Sequence, residues 1–258
     1  MMQTTNTRNQ HGAQAAGPHF DTTSFPDVPA LPFPAKPARI KDRYWFKTIK
    51  WYLYKKHFGK PTWAVRYLFD REVRSLRAGD LVIDCGANLG EFTTMLAATG
   101  ATVHAFEPDP YTFSRLRENT SHLSNVIYHN QAVGVGRAIV KLYRTPDFDD
   151  SPDAASISSS VFADKINVSE ANYVEVEQID FVSFLESLGR PVRLLKIDIE
   201  GAEVPLLENM IEKDALSNVR ITFVETHDTR IPTIAERTTA LREIAVERFH
   251  KKLYMDWE

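Results

Sequence analysis

The chain has 258 residues, 43 % of them hydrophobic, which is enough for one full core or one core with an extension. Its formal net charge of −3 argues against nucleic acid as a partner, and its single cysteine excludes an intrachain disulfide and fits a reducing compartment. No stretch approaches the roughly 18 apolar residues of a membrane span, and the N-terminus lacks a secretion-signal core, so the expected location is cytoplasmic.

Residues 1–37 are rich in Thr, Gln, Asn and Pro, with Pro26, Pro29, Pro32, Pro34 and Pro37 closely spaced, and read as a disordered tail. Residues 38–79 read as an N-terminal helical cap. Within it, Trp45, Ile49, Tyr52 and Leu53 fall at helical spacing, interleaved with Lys41, Arg43, Lys47, Lys50, Lys55, Lys56 and Lys60. That helix either packs on the domain that follows or makes a peripheral contact with an anionic membrane or glycan. A second helix opens at Pro61-Thr62, with Thr62 as N-cap, and ends at Gly79. Val65, Leu68, Phe69, Val73 and Leu76 form its buried stripe.

Leu81-Val82-Ile83 is an apolar run of the kind a buried parallel strand shows. It stops at Asp84. A turn with Gly86, Asn88 and Gly90 follows, then a helix from Glu91. Strand, glycine turn and helix start hold a nucleotide-like ligand at the carboxyl end of a parallel sheet. Gly86-Ala87-Asn88-Leu89-Gly90 matches neither a dinucleotide fingerprint nor a phosphate loop. The turn carries no Lys or Arg, and Asp84 and Glu91 flank it, which suits a cationic ligand. A second strand over 101–106 ends at Glu107, about 20 residues past the first glycine, where an acid accepts hydrogen bonds from ribose hydroxyls. A ribose without phosphates, carrying a positive centre, fits S-adenosylmethionine. Cys85 beside the turn reads as a small packing residue.

Downstream, 108–119 reads as a helix and 125–133 as a third strand ending at Gln131-Ala132. Residues 136–144 pair as an added strand. Residues 145–160 have no apolar period and hold Asp147, Asp149, Asp150 and Asp153; they form either an acceptor-site lid or simple disorder. Residues 173–179 alternate as a strand, and 181–188 are a short helix stopping at Gly189. A buried strand over 192–198 carries Lys196. A helix containing Pro205 follows it, then a strand over 219–224. Pro232 introduces a helix with Leu241, Ile244, Ala245 and Phe249 on one face, and 252–257 add a last strand. This order predicts an α/β fold: a doubly wound, mostly parallel sheet with N-terminal helices and an inserted β-hairpin.

The stretches Val82-Ile83-Asp84-Cys85-Gly86-Ala87-Asn88-Leu89-Gly90 and Phe106-Glu107-Pro108 resemble the cofactor motifs of class I methyltransferases. Leu195-Lys196-Ile197-Asp198-Ile199-Glu200-Gly201-Ala202-Glu203 resembles a block of the FkbM-type family, as do Asn130-Gln131-Ala132-Val133-Gly134 and Phe223-Val224-Glu225-Thr226-His227. The resemblance covers residues 80–258 and implies a Rossmann-like methyltransferase domain using S-adenosylmethionine. It implies an O-methyltransferase with a small-molecule or glycan acceptor, and helices ahead of the first strand that cover the cofactor site. A methyltransferase-like scaffold docked on an anionic surface, or a nicotinamide-dependent oxidoreductase, are the alternatives. The acceptor's identity and the oligomeric state stay open.

Methyl transfer from a sulfonium needs alignment and removal of a proton from a weakly acidic hydroxyl. The expected cofactor residues are Asp84, Gly86, Asn88, Gly90, Glu107, Pro108, Gln131 and Ala132. Asp84 either bonds the cofactor's amino group or sits under the turn as a cap. Asp198 is the candidate base or acceptor-positioning group, with Lys196 beside it, unless the two only brace the sheet. Lys196, Asp198 and Glu200 alternate and would share one strand face. Glu200 and Glu225 are assigned to the acceptor, and His227 is an alternative base. No metal is assigned; the alternative is a divalent ion on Asp198, Glu225 and His227.

Overall fold

The computed structural model describes residues 62–255. The tail expected over 1–37 and the basic aromatic helix expected over 39–60 lie outside the described residues. Helix α1 (Thr62–Ser75) leads into β1 (Leu81–Cys85), α2 (Glu91–Ala97), β2 (Thr102–Phe106), α3 (Pro110–Asn119) and β3 (Val126–His129). Next come β4 (Ala132–Gly134), β5 (Ala138–Tyr143), the short α4 (Pro152–Ala155) and β6 (Tyr173–Asp180). The chain closes with α5 (Phe181–Ser187), β7 (Leu194–Ile197), α6 (Glu203–Glu212), β8 (Thr222–Val224), α7 (Ala235–Arg248) and β9 (Leu253–Met255).

The main sheet has six strands in the order β3-β2-β1-β7-β8-β9, all parallel. The order reverses direction between β1 and β7, which is where an open α/β sheet leaves a crevice at its carboxyl ends. Both faces are covered. Ile83, Cys85, Leu195 and Ile197 point to one face and pack with α5, α6 and α7 through Phe181, Leu207 and Leu241. Val82 and Leu194 point to the other and meet α1 and α2 through Leu68, Phe69 and Leu96. This strand alternation puts Asp84 and Lys196, which stand opposite each other in the β1–β7 register, on the α2 side.

Three expectations change in detail. The third strand does not run through to Val133. It stops at His129 because the Asn130 side chain turns back and donates to the carbonyls of Glu107 and Pro108, each at 3.0 Å. The chain then enters a second sheet, β4-β6-β5, in which β5 and β6 form the inserted antiparallel pair and β4 joins β6 in parallel. The last strand, β9, pairs with β8 in parallel. Helix α1 buries Val65, Leu68, Phe69, Val73 and Leu76 as its spacing predicts, but against the sheet: Phe69 stands edge-on to Phe223 at 5.1 Å. None of its described side chains lines the cavity described next.

Candidate active site

At the carboxyl end of the main sheet lies a cavity of about 400 Å³, bounded by the turn after β1, the ends of β2 and β7, and the Gln131-Ala132 break. The turn is shaped by close approach. Gly86 has φ +78, and a Cβ there would stand 1.7 Å from the carbonyl oxygen of Asp198. The neighbouring strand end, not a ligand, is what excludes a side chain at Gly86. Asn88, also left-handed at φ 46, faces the cavity; its amide donates to Glu107 Oε2 at 2.9 Å and its Oδ1 accepts from Ser156 Oγ at 2.9 Å.

Glu107 lines the cavity, and its second oxygen accepts the amide of Asp109 at 3.0 Å. Burial pushes its carboxyl up to about 8 against those two amide bonds. Pro108, Gln131 and Ala132 also line the cavity. Two expected cofactor residues lie elsewhere. Asp84 is fully buried beneath the turn, accepting from Thr93 Oγ1 at 2.7 Å and facing Lys196 Nζ at 3.2 Å. Gly90 sits under α3, where a Cβ would meet Thr120 and Leu116 at 2.8 and 2.9 Å. Cys85 is buried, and burial with the Asp84 charge holds its thiol well above the ordinary range, as a packing residue requires.

Lys196 links the two halves of the site. Its ammonium donates to the Gly86 carbonyl at 2.6 Å and reaches Asp84 at 3.2 Å and Asp198 at 3.4 Å. Burial alone would lower its pKa, but the two carboxylates outweigh burial and hold it above the usual value, so the group stays a cation. Asp198 stands just past β7, its amide on the carbonyl of Cys85 at 3.1 Å. The strand pleat ends there. Glu200 reaches the cavity through a left-handed residue at φ 57 rather than by strand alternation. Lys165 Nζ, itself buried, donates to Glu200 Oε2 at 2.5 Å and to the Ser158 carbonyl at 2.6 Å.

His227, 4 % exposed, stands beyond β8. Its Nδ1 meets Glu203 Oε1 at 2.9 Å, and its backbone amide donates to the same oxygen at 3.1 Å. Nε2 therefore faces Glu200 at 3.3 Å, Glu225 at 3.7 Å and Asp198 at 3.8 Å. Burial disfavours charge on the ring, but the Glu203 bond and the surrounding carboxylates outweigh it and raise His227 to about 9. Burial raises the Glu200 carboxyl, with His227 and Lys165 opposing. Asp198, Glu200, Glu225 and Lys196 thus share one cavity with the glycine turn, and His227 touches its three acids.

Sequence reasoning passed over Glu203 and Lys165. Glu203 lies in the first turn of α6, where an acid reads as an ordinary helix-start residue. Its three-residue offset from Glu200 is the one available signal. Lys165 lies in an aperiodic loop and gives none. That loop is anchored over the site: Ser160 Oγ donates to the Glu200 carbonyl at 2.6 Å, and Ser156, Ile157 and Ser159 line the cavity.

A family model described as methyltransferase FkbM domain matches residues 84–251. The chain is 29 % identical over 149 residues to the hexuronic acid methyltransferase AglP of Haloferax volcanii, covering 57 % of this chain and 56 % of that protein. It is 29 % identical over 182 residues to the 31-O-demethyl-FK506 methyltransferase FkbM of Streptomyces tacrolimicus, covering 59 % of this chain and 67 % of that protein. The chain thus spans little more than half the length of the Haloferax volcanii relative. Among solved structures it is similar to methyltransferase FkbM from Methylobacillus flagellatus KT, at 20 % identity and a TM-score of 0.32 over 53 % of this chain and 30 % of that one. It is also similar to SMU.1697c of Streptococcus mutans, solved with SAH, at 12 % identity and a TM-score of 0.40 over 70 % and 81 %.

Proposed function

Because the chain belongs to the FkbM methyltransferase family, we propose that it moves a methyl group from S-adenosylmethionine to a hydroxyl of a sugar, glycan or secondary metabolite. The observation that carries this reading is the shared cavity: one wall is the glycine turn with Glu107, the other is Asp198, Glu200 and Glu225. The first wall has the chemistry the donor requires. Glu107 offers a carboxyl edge for ribose hydroxyls, and the turn itself carries no Lys or Arg, the Lys196 cation beside it being paired with Asp84 and Asp198. The relatives named for a hexuronic acid and for a demethylated FK506 support a hydroxyl-bearing acceptor.

When bound, S-adenosylmethionine supplies an electrophilic methyl on a positively charged sulfur. The protein's part is alignment and proton removal. Asp198 holds the acceptor hydroxyl and draws its proton, with His227 the alternative base once its raised imidazolium, at about 9, has given up its proton. Lys196 pairs with Asp198 and ties it through Gly86 to the turn, so that acceptor and donor walls keep one spacing. Glu200 and Glu225 accept from neighbouring hydroxyls of the acceptor.

The test is turnover with sugar and polyol acceptors, read as S-adenosylhomocysteine release. Asp198→Asn should lower turnover at least about 100-fold, the lower end for a general base, while calorimetry shows cofactor affinity held within a few fold. Full activity in a folded Asp198→Asn would make Asp198 a structural residue and move the base to His227.

A further inference from the structure

We propose that Asp198, Glu200 and His227 bind a hard divalent cation of the Mg²⁺ or Mn²⁺ class, which takes the acceptor hydroxyl as a further ligand. This rests on the methyl-transfer reading above and deepens it. One ligand atom from each of the three residues lies within 4.8 Å of the others. Ligands bonded to a common cation at 2.0–2.6 Å stand about 3 to 5 Å apart, so the three are already gathered at the required separation.

What distinguishes this cluster from a patch of acids is the ring of His227. It is buried to 4 % exposure, and Glu203, itself fully buried, takes its Nδ1 at 2.9 Å. A carboxylate on one ring nitrogen is how ligating histidines are oriented, leaving the other nitrogen for the metal. Here that other nitrogen, Nε2, points among three carboxylates at 3.3 to 3.8 Å. Glu203 is itself fixed, its Oε2 accepting the Gly201 amide at 2.7 Å. Lys196 engages Asp198 Oδ2, which leaves Oδ1 turned to the imidazole. Lys165 fixes Glu200 through Oε2, the oxygen that also faces Nε2, so that oxygen would be shared between the lysine and the ion or Oε1 would serve instead.

Two carboxylates and one imidazole, with no thiolate, favour a hard oxygen-seeking ion. Three protein ligands leave positions open for water and for an acceptor oxygen. An acceptor hydroxyl bound there loses its proton to a carboxylate of the site. Its oxygen then forms the new O–C bond as the S–C bond breaks, and the electron pair returns to sulfur to give neutral S-adenosylhomocysteine.

The experiment titrates the metal-stripped full chain with MnCl₂ and reads free Mn²⁺ by electron paramagnetic resonance. One Mn²⁺ per chain is expected. His227→Ala and Asp198→Asn should each weaken binding at least tenfold, and Glu203→Gln, acting through the ring, by about 10- to 100-fold. Should His227→Ala not fold, Glu200→Gln carries the same expectation. Calorimetry with S-adenosylhomocysteine on the same metal-free samples keeps the two ideas apart. S-adenosylhomocysteine bound while the wild type leaves Mn²⁺ free overturns the cation site and spares the cofactor. Mn²⁺ bound while S-adenosylhomocysteine is ignored does the reverse. Equal Mn²⁺ affinity in wild type and folded variants puts the ion elsewhere and also overturns the proposal.

Discussion

At Glu107 one carboxyl group ties together the turns after β1 and β2, accepting the Asn88 amide with one oxygen and the Asp109 amide with the other. Removing it takes away the brace of the turn and, on the proposed reading, the ribose contact. Glu107→Ala should therefore weaken S-adenosylhomocysteine by about 1–3 kcal/mol in calorimetry, the scale of hydrogen bonds to a charged group. Unchanged affinity in a folded variant would remove Glu107 from the cofactor site. This residue was legible because its offset from the first glycine follows from strand and helix lengths. Glu203 was not, because its partner His227 lies 24 positions away and meets it only when β7 and β8 stand side by side. The strand alternation rule also fails at Glu200, where a left-handed turn, not the pleat, aims the side chain.

The segment between β5 and β6 is the element whose part in the site was least visible in the sequence. It has no apolar period because polar bonds hold it: Ser156 to Asn88, Ser160 to the Glu200 carbonyl, Thr233 to Asp164, and Lys165 to Glu200. Lys165→Met should leave Glu200 without its lysine partner and release this latch. We expect stability to fall by about 1.5–3 kcal/mol in urea unfolding, the range for a hydrogen bond to a charged group, together with faster proteolysis within 145–170. Unchanged stability and protease resistance would show that the serines alone hold the loop. Helix α1 was legible for the opposite reason: its stripe obeys helical spacing. Phe69 is its anchor, edge-on to Phe92 at 5.9 Å and to Phe223 at 5.1 Å. Phe69→Ala should cost about 3–5 kcal/mol, the usual range for a buried Phe, and an intact melting temperature would mean that α1 is not part of the core.

Across the whole molecule the parallel sheet was legible from apolar runs and glycine turns, whereas pairing across the sheet was not, and one such pairing sets a pH response. His104 on β2 and His129 on β3 meet at 2.9 Å, Nδ1 to Nε2, and His129 stacks on Phe106 at 4.2 Å with Phe184 edge-on. Burial lowers both rings, the nearby Arg190 charge adding to it at His104 and His104 adding to it at His129, which falls to about 4. Between about 4 and the usual 6.5 the unfolded chain binds a proton at His129 that the folded chain does not. This contribution to stability is complete above pH 6.5 and is lost as pH falls toward 4. Glu107, raised to about 8, works in the other direction, losing stability as pH rises from 4.5 to 8, so the wild-type profile alone mixes the two. The difference between wild type and His129→Phe isolates the histidine. Phe keeps the stacking on Phe106 and cannot take a proton. The melting temperature of His129→Phe relative to wild type should therefore rise steadily as pH is lowered from 6.5 to 4, and be flat from 7 to 8. Parallel profiles across the acid range would show that the His104–His129 pair carries no proton linkage.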